Sequence, residues 1–340
     1  MYASEFRQSF QQTELIYLTT SNKSIAYQET FSGPYLKRFL ENRRGSFELI
    51  FDYNTVMTGA RAGRMLTGIP RTYDLADDLA DMIRTSPQLV RPAALAAALV
   101  SRRLIVRSIE ASNAITGTTE PLLDRYHAPA TRRCVIPNGV PSEFLRPISQ
   151  ADKIDVRKTP DEFLIGYVGV LREWVDFRPV LEAMKRHKAT QPVRLMIIGE
   201  EGGRTRVESV AKELGVEAEI SFVGTKPHSV ICRYLAACNC GIIPFVRSRT
   251  TEVSLPLKLF EYASVGIPIV STRIPAVEAL FQNDVSLYDD SSELTMVLGR
   301  IIADPDEAED KALICRERVS REYTWEKILV RLDEMIASFE

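Results

Sequence analysis

Lys258 and Glu261 stand in the stretch SLPLKLFEYASVGIPIVST, residues 254–272, and their spacing puts them one turn apart on nearly the same face of a helix. Pro256 suits the first turn of that helix, where its missing N–H costs nothing. Lys258 follows in the same turn, where the helix macrodipole already presents partial positive charge. A cation is disfavoured there unless an anion shares the site. Free N–H groups with an added ammonium then form a phosphate site. Glu261, about 5–6 Å further along the face, is placed to accept the two hydroxyls of a ribose. Together the two residues describe a nucleoside diphosphate lying across a helix start. The plainer reading of the same residues is a lysine reaching to solvent with Glu261 as its i,i+3 partner.

A second cluster is YDLADD, with Tyr73, Asp74, Asp77 and Asp78, and Asp81 close behind. Carboxylates gathered at a strand end repel and raise one another's pKa. Such groups bind a metal or other cation, or hold a general base. The structural alternative is that Asp77 and Asp78 open a helix and favour its dipole. His127, in RYHAPATRR, reads as a surface histidine. There is no G-x-x-x-x-G-K-[ST] loop, which disfavours an ATPase or kinase. IGEEGGR (198–204) is too loose for a dinucleotide fingerprint, which disfavours a dehydrogenase.

These residues need elements to hold them. From residue 14 onward short apolar runs alternate with helical patterns: ELIYLTT (14–20), FELIFDYN (47–54), RTYDLADD (71–78), AITGTT (114–119) and RCVIPNGV (133–140) read as strands. A polar, proline-containing stretch at 145–162 reads as a linker. The alternation then restarts with FLIGYVGV, VRLMIIGE, EISFVG, CGIIPF and GIPIVST, and VSLYDD adds a possible further strand. Strands alternating with helices predict parallel α/β sheets, here two units joined by a linker. In such sheets ligands collect at the carboxyl ends of strands. Gly169 with Arg172, Trp174 and Asp176, Gly199 with Glu200, Gly202 and Gly203, Gly224 with Pro227, and Pro244 all fall on that rim, beside Lys258 and Glu261.

Composition narrows the class. The chain has 340 residues, 45% apolar and 26% charged, with a net charge of -2; this suits an ordinary two-domain globular protein and no nucleic-acid binder. The first half is mildly basic and the second acidic, which would suit an anionic or membrane-proximal partner on the first. Five cysteines without CxxC spacing, and only three histidines, argue against zinc and for a reducing, cytoplasmic setting. Cys238 and Cys240, flanked by apolar residues, read as core residues. No signal peptide and no apolar run of about 18 residues is present.

SLPLKLFEYASVGIPIVST resembles the donor-binding segment of GT-B glycosyltransferases, in which a Lys and a ribose-binding Glu precede a Gly-x-Pro turn and a strand. CVIPNGVPSEFLRP is similar to their hinge-side segment, YVGVLREWVDFRPVLEAM to the first strand and helix of their second domain, and ISFVGTKPHSVICRYLAACNCGIIPF to the segment that cups the base. REYTWEKILVRL resembles their C-terminal helix, and YDLADD with IEASNAITGTTEPLLDRY a bacterial subgroup that builds exopolysaccharides and cell-surface glycans. The likeness covers about residues 50–335.

It implies two Rossmann-like parallel-sheet domains facing a cleft: an acceptor-binding domain over 1–147, shortened at its start; a nucleotide-sugar domain over 160–320; and a terminal helix, 321–340, crossing back to the first. The implied reaction moves a sugar from a UDP- or GDP-sugar to a glycan, lipid-linked or small-molecule acceptor, with peripheral membrane contact through the first domain, no nucleic acid, no cofactor and no metal. Donor contacts fall on Gly169, Arg172, Gly199, Glu200, Gly224, Pro227, Pro244, Phe245, Pro256, Leu257, Lys258 and Glu261. Lys258 and Arg172 would stabilise the leaving diphosphate, and Asp77, Asp78 or Asp74 would act as base. Three features depart from the family pattern. Val253 stands where retaining members carry a second Glu, with Glu252 one place off. The usual Gly-Arg-Leu and Lys-Gly pair after the first strand of the second domain is absent. The first strand with its glycine loop is also missing. A GT-B-fold sugar-nucleotide epimerase and a non-catalytic sugar-nucleotide-binding partner are the alternatives.

Overall fold

The structure, a computed structural model, describes residues 33–338 apart from 44, 87, 150, 151, 153, 155, 157, 158, 160 and 201. The strand expected over 14–20, and the start of the chain where the first domain was read as shortened, lie outside the described residues. The chain forms two compact units. One comprises residues up to Thr116 together with Leu123–Cys134; the other comprises Gly117–Leu122 and Val135–Ser338.

The first unit runs α1 (Gly33–Glu41), β1 (Ile50–Tyr53), α2 (Thr58–Met65), β2 (Arg71–Leu75), α3 (Leu79–Arg84), α4 (Arg91–Glu110), β3 (Ala114–Gly117), α5 (Glu120–Arg125) and β4 (Arg133–Val135). The sheet order is β1-β2-β3-β4. β1 and β2 pair in parallel, with Ile50 opposite Arg71. Every residue of β2 and β3 is buried, as strands covered on both faces require. Arg71 lies inside this sheet and is neutralised by the buried carboxylate of Asp52.

In the second unit come β5 (Phe163–Val168), α6 (Arg178–His187), β6 (Val193–Ile198), α7 (Arg204–Leu214), β7 (Ile220–Gly224), α8 (His228–Leu235) and β8 (Cys240–Ile243). They are followed by α9 (Leu257–Val265), β9 (Ile269–Thr272), α10 (Pro275–Phe281), β10 (Ser286–Tyr288), α11 (Ser291–Ala303), α12 (Pro305–Glu322) and α13 (Trp325–Ala337). Its six strands lie in the order β10-β9-β8-β5-β6-β7, all parallel. From β5 the chain winds outward to β7, then returns to β8 on the other side and winds the opposite way. The switch point is the gap between β5 and β8, where an open α/β sheet leaves its crevice. The continuous apolar runs of β5 and β6 are wholly buried in the core of this unit. Cys238 and Cys240 are buried there, as their flanks predict.

Two boundaries differ from those read in the sequence. The stretch expected to be a linker is strapped to the second unit: Arg233 Nε donates to Asp152 O at 2.8 Å, Arg194 Nη1 to Val156 O at 2.9 Å, and Arg316 Nη2 to Leu145 O at 2.6 Å. Its polar composition hides the fact that arginines elsewhere in the unit satisfy its carbonyls. The division therefore falls near residue 134 rather than 147. The terminal helix likewise groups with the second unit, because Val140 exchanges backbone hydrogen bonds with Tyr323 and Trp325.

Candidate functional site

Backbone shape defines the rim of the second unit. Gly169, just past β5, has φ +130°, and Gly199, just past β6, has φ +140°; both are conformations that side chains resist. A Cβ on Gly199 would stand 2.3 Å from the carbonyl oxygen of Gly169, and one on Gly169 would meet Lys258 Nζ at 3.4 Å. The two strand ends therefore press together beside the lysine, and only hydrogen fits between them.

Helix α9 begins at Leu257, with Pro256 as the residue before it. Tyr262, fully buried, fixes this helix to both strands of the switch point: its hydroxyl donates to Ile242 O at 3.2 Å and accepts from Val168 N at 3.1 Å. Lys258 is thereby held over the switch point itself. Its Nζ lies 5.1 Å from the ring centre of Tyr167 on β5 and 4.7 Å from that of Phe245 just past β8. Aromatic faces attract a cation but do not neutralise it. Burial lowers the Lys258 pKa to about 8, against a smaller upward pull from Glu261. No carboxylate among the described residues lies within ion-pair distance of it.

Glu261 does not pair with Lys258. It is 4% exposed, and its Oε1 lies 2.8 Å from Nε2 of His228, the first residue of α8. His228 stacks on Phe144, ring centres 4.6 Å apart. Sequence reading passed over His228, Phe144 and Tyr167. The signal for His228 was its place directly after Pro227, the residue that precedes α8 at the end of the β7 segment.

The other expected donor residues sit around this centre. Arg172 is exposed, and its carbonyl accepts from Arg206 Nη2 at 2.7 Å. Glu200 is exposed next to Gly199, and Leu257 is exposed at the start of α9. Gly224 closes β7 in a left-handed conformation. Pro244 and Phe245 follow β8, where Asp176 N donates to Pro244 O at 2.8 Å. Val253, in place of the second Glu, is buried in a 3-10 turn, and its carbonyl accepts from Thr119 Oγ1 at 2.8 Å. The neighbouring loop is pinned by Asn138, whose Nδ2 donates to Leu255 O at 2.6 Å.

In the first unit the carboxylates are mostly engaged. Asp78 caps α3, accepting from Asp81 N at 3.1 Å, Tyr126 OH at 2.6 Å and Arg125 Nη1 at 3.0 Å. Such a buried carboxylate, with three donors supplied, holds structure together. Asp74 is buried and accepts from Thr116 Oγ1; burial raises its pKa, with Asp52 and Asp77 adding to the rise. Asp81 binds Arg84 at 2.6 Å. Asp77 alone is exposed. Its pKa is raised by desolvation first and by the charge of Asp78 second. Among the described residues no group of three His, Cys, Asp or Glu side chains is arranged to hold a metal ion, so the metal reading of this cluster lacks a geometry.

Residues 149–311 match the family Glycosyl transferases group 1. A putative teichuronic acid biosynthesis glycosyltransferase, TuaH of Bacillus subtilis, is 23% identical over 145 residues, 43% of this chain and 35% of that protein. The chain spans from about a third to just over half of the length of the curated relatives it matches. Sucrose-phosphate synthase from Thermosynechococcus elongatus superposes with a TM-score of 0.77 at 18% identity, covering 94% of this chain and 80% of that one. Anabaena HepE in complex with UDP-glucose does so with a TM-score of 0.76 at 16% identity, covering 100% and 89%. Two Rossmann-like parallel-sheet units give the chain the GT-B fold of these structures, and the part of it that resembles the group 1 glycosyltransferases, residues 149–311, lies in the second unit.

Proposed function

We propose that this protein transfers a sugar from a UDP- or GDP-linked donor to a glycan, lipid-linked or small-molecule acceptor, with the donor diphosphate held by the second unit. The observation that carries this reading is the Lys258 amine. It lies at a helix start and at the sheet's switch point, and it faces two aromatic rings with no counter-anion within ion-pair distance among the described residues. A cation so placed is favoured only when an anion arrives. The diphosphate is that anion, and charge growing on it as the sugar leaves is stabilised by a donor already in position. Glu261, buried on the same helix with one oxygen beside His228 Nε2, takes the ribose hydroxyls. Arg172 supplies a second cation from the exposed loop after Gly169. The anomeric carbon loses its bond to the diphosphate oxygen and gains one to the acceptor oxygen, whose proton goes to Asp77 if the enzyme inverts. Bound UDP-glucose in the HepE structure supports a nucleotide-sugar donor here. Five cysteines, all free, accord with a reducing cytoplasmic setting.

The test is incubation with UDP- and GDP-sugars, with and without candidate acceptors. Nucleotide release that rises with acceptor is the expected result. A changed sugar still attached to nucleotide would make the protein an epimerase, and binding without turnover would make it a silent partner.

A further inference from the structure

We propose that a cavity at the amino-terminal ends of β2 and β3 binds a small organic phosphomonoester, without turning it over. The cavity measures about 580 Å³ and belongs wholly to the first unit; its size is that of a small-molecule site. It is lined by α2, by the turn 66–70 that leads into β2, and by the C-terminal half of α4. It is thus at the opposite end of β2 from Asp77, and distinct from the donor rim of the second unit. Three arginines line it. Arg71 is 4% exposed. Asp52 accepts from its Nη2, while its Nε is buried without a hydrogen-bond partner among the described residues. A Cβ on Gly63, another lining residue, would stand 3.2 Å from Arg71 Nη1, so the glycine keeps that guanidinium uncovered. Arg64 and Arg107 are exposed and have no carboxylate within ion-pair distance among the described residues. Asn113 Oδ1 accepts from Arg71 N at 2.9 Å, which leaves the Nδ2 donor for a ligand. No lining residue is acidic, and none is a histidine or cysteine, so the cavity has donors for an anion and no general base.

The helix dipoles favour an arginine in each last turn, where Arg64 and Arg107 stand. That accounts for two of the cations, but not for the buried third or for the cavity they line. Because Asp52 neutralises Arg71, the charge left over is that of Arg64 and Arg107. A phosphomonoester carries about −1.5 to −2 near neutral pH and three strong acceptor oxygens, which suits two guanidinium forks; a carboxylate brings less charge and fewer oxygens. Ala60, Leu66, Ile69, Pro70 and Leu104 add apolar wall that an inorganic anion would leave uncovered. The ligand therefore has an organic body as well as a phosphate.

Calorimetry on the full chain with phenyl phosphate, benzoate and inorganic phosphate tests this. Phenyl phosphate is expected to bind at least about ten-fold tighter than either of the others, and no less tightly when UDP is present at saturation. Arg64→Gln and Arg107→Gln should each weaken it about five- to ten-fold, and Leu104→Glu, which sets a carboxylate among the arginines, should abolish it. Arg103→Gln, exposed on the same helix but not lining the cavity, should bind like the parent. Parent-like thermal melts show that a variant is folded. Should Leu104→Glu not fold, Arg64→Gln with Arg107→Gln, both at exposed positions, carries the test with an expected loss of at least about twenty-five-fold. The proposal is overturned by no binding, by benzoate or inorganic phosphate binding as tightly as phenyl phosphate, or by Arg64 and Arg107 variants that bind like the parent. It is equally overturned if Arg103→Gln costs as much as Arg107→Gln, which would mean diffuse surface charge, or if UDP displaces the probe, which would put the anion at the Lys258 rim.

Discussion

Both units place charge just beyond the ends of parallel strands, and the two clusters meet opposite fates. In the second unit Lys258 is given aromatic faces, a glycine rim and, among the described residues, no counter-ion. In the first, Asp78 receives three donors, Asp74 a threonine hydroxyl and Asp81 an arginine. A buried polar group with its partners supplied is structure, whereas one held apart from partners is waiting for a ligand. By that criterion the lysine rim is the candidate site, and of the four aspartates Asp77, the exposed one, is the one left for a role in chemistry.

The comparison breaks first at Asp77. If it is the base, Asp77→Asn should lower turnover about 10²–10⁴-fold with nucleotide affinity unchanged, as initial rates and calorimetry would show. Near-normal turnover would return all four aspartates to structure and leave catalysis to the diphosphate clamp, as expected of a retaining enzyme. Asp78→Ala should act differently. It strands Arg125 and Tyr126 and removes a cap, so stability should fall by about 3 kcal/mol. Activity should then follow the folded fraction in thermal and urea melts. Loss of turnover in a protein as stable as the parent would put Asp78 in the mechanism after all.

Lys258→Ala tests the other side. UDP binding should weaken by about 1.5–3 kcal/mol, the range for hydrogen bonds to charged groups, while uridine binding is unchanged; equal losses would refute the phosphate role. pH supplies a second reading. The free amine has a pKa of about 8, and a bound diphosphate must raise it. Below pH 8 the amine is already protonated, so affinity is flat in this respect. Above pH 8 binding requires proton uptake, and UDP affinity should fall by up to about ten-fold per pH unit. Uridine should show no such slope, nor should UDP with the Ala variant.

Much of this was legible in the sequence, and the failures have physical reasons. Buried parallel strands such as FLIGYV and, past Arg194, LMII declare themselves as continuous apolar runs, and the conflict between Lys258 and its helix dipole is visible from position alone. The strap at 152–156 was not legible, because its order comes from arginines many residues away in the chain. The same limit hid the difference among the aspartates. Asp74, Asp77 and Asp78 are equivalent in spacing, and only Thr116, Arg125 and Tyr126 distinguish them. His228 escaped for a like reason: a histidine after a proline declares a helix start, not a buried carboxylate 33 residues on.

That histidine gives the smallest expected effect. The contact of one Glu261 oxygen with His228 Nε2 restrains the carboxylate's orientation, and Phe144 stacks on the imidazole. Glu261→Ala should abolish the preference for UDP over its 2′-deoxy analogue, since the group that accepts the ribose hydroxyls is gone. His228→Ala removes only the hydrogen bond that orients it. The carboxylate remains and can find its pose part of the time, so UDP affinity should drop by about 0.5–1.5 kcal/mol and the ribose preference should shrink without vanishing. His228→Gln, which restores an N–H near the same place, should recover most of the loss. If the Ala variant keeps the full ribose preference, His228 only stacks on Phe144 and Glu261 orients itself. If it loses the preference as completely as Glu261→Ala does, His228 touches the nucleotide directly.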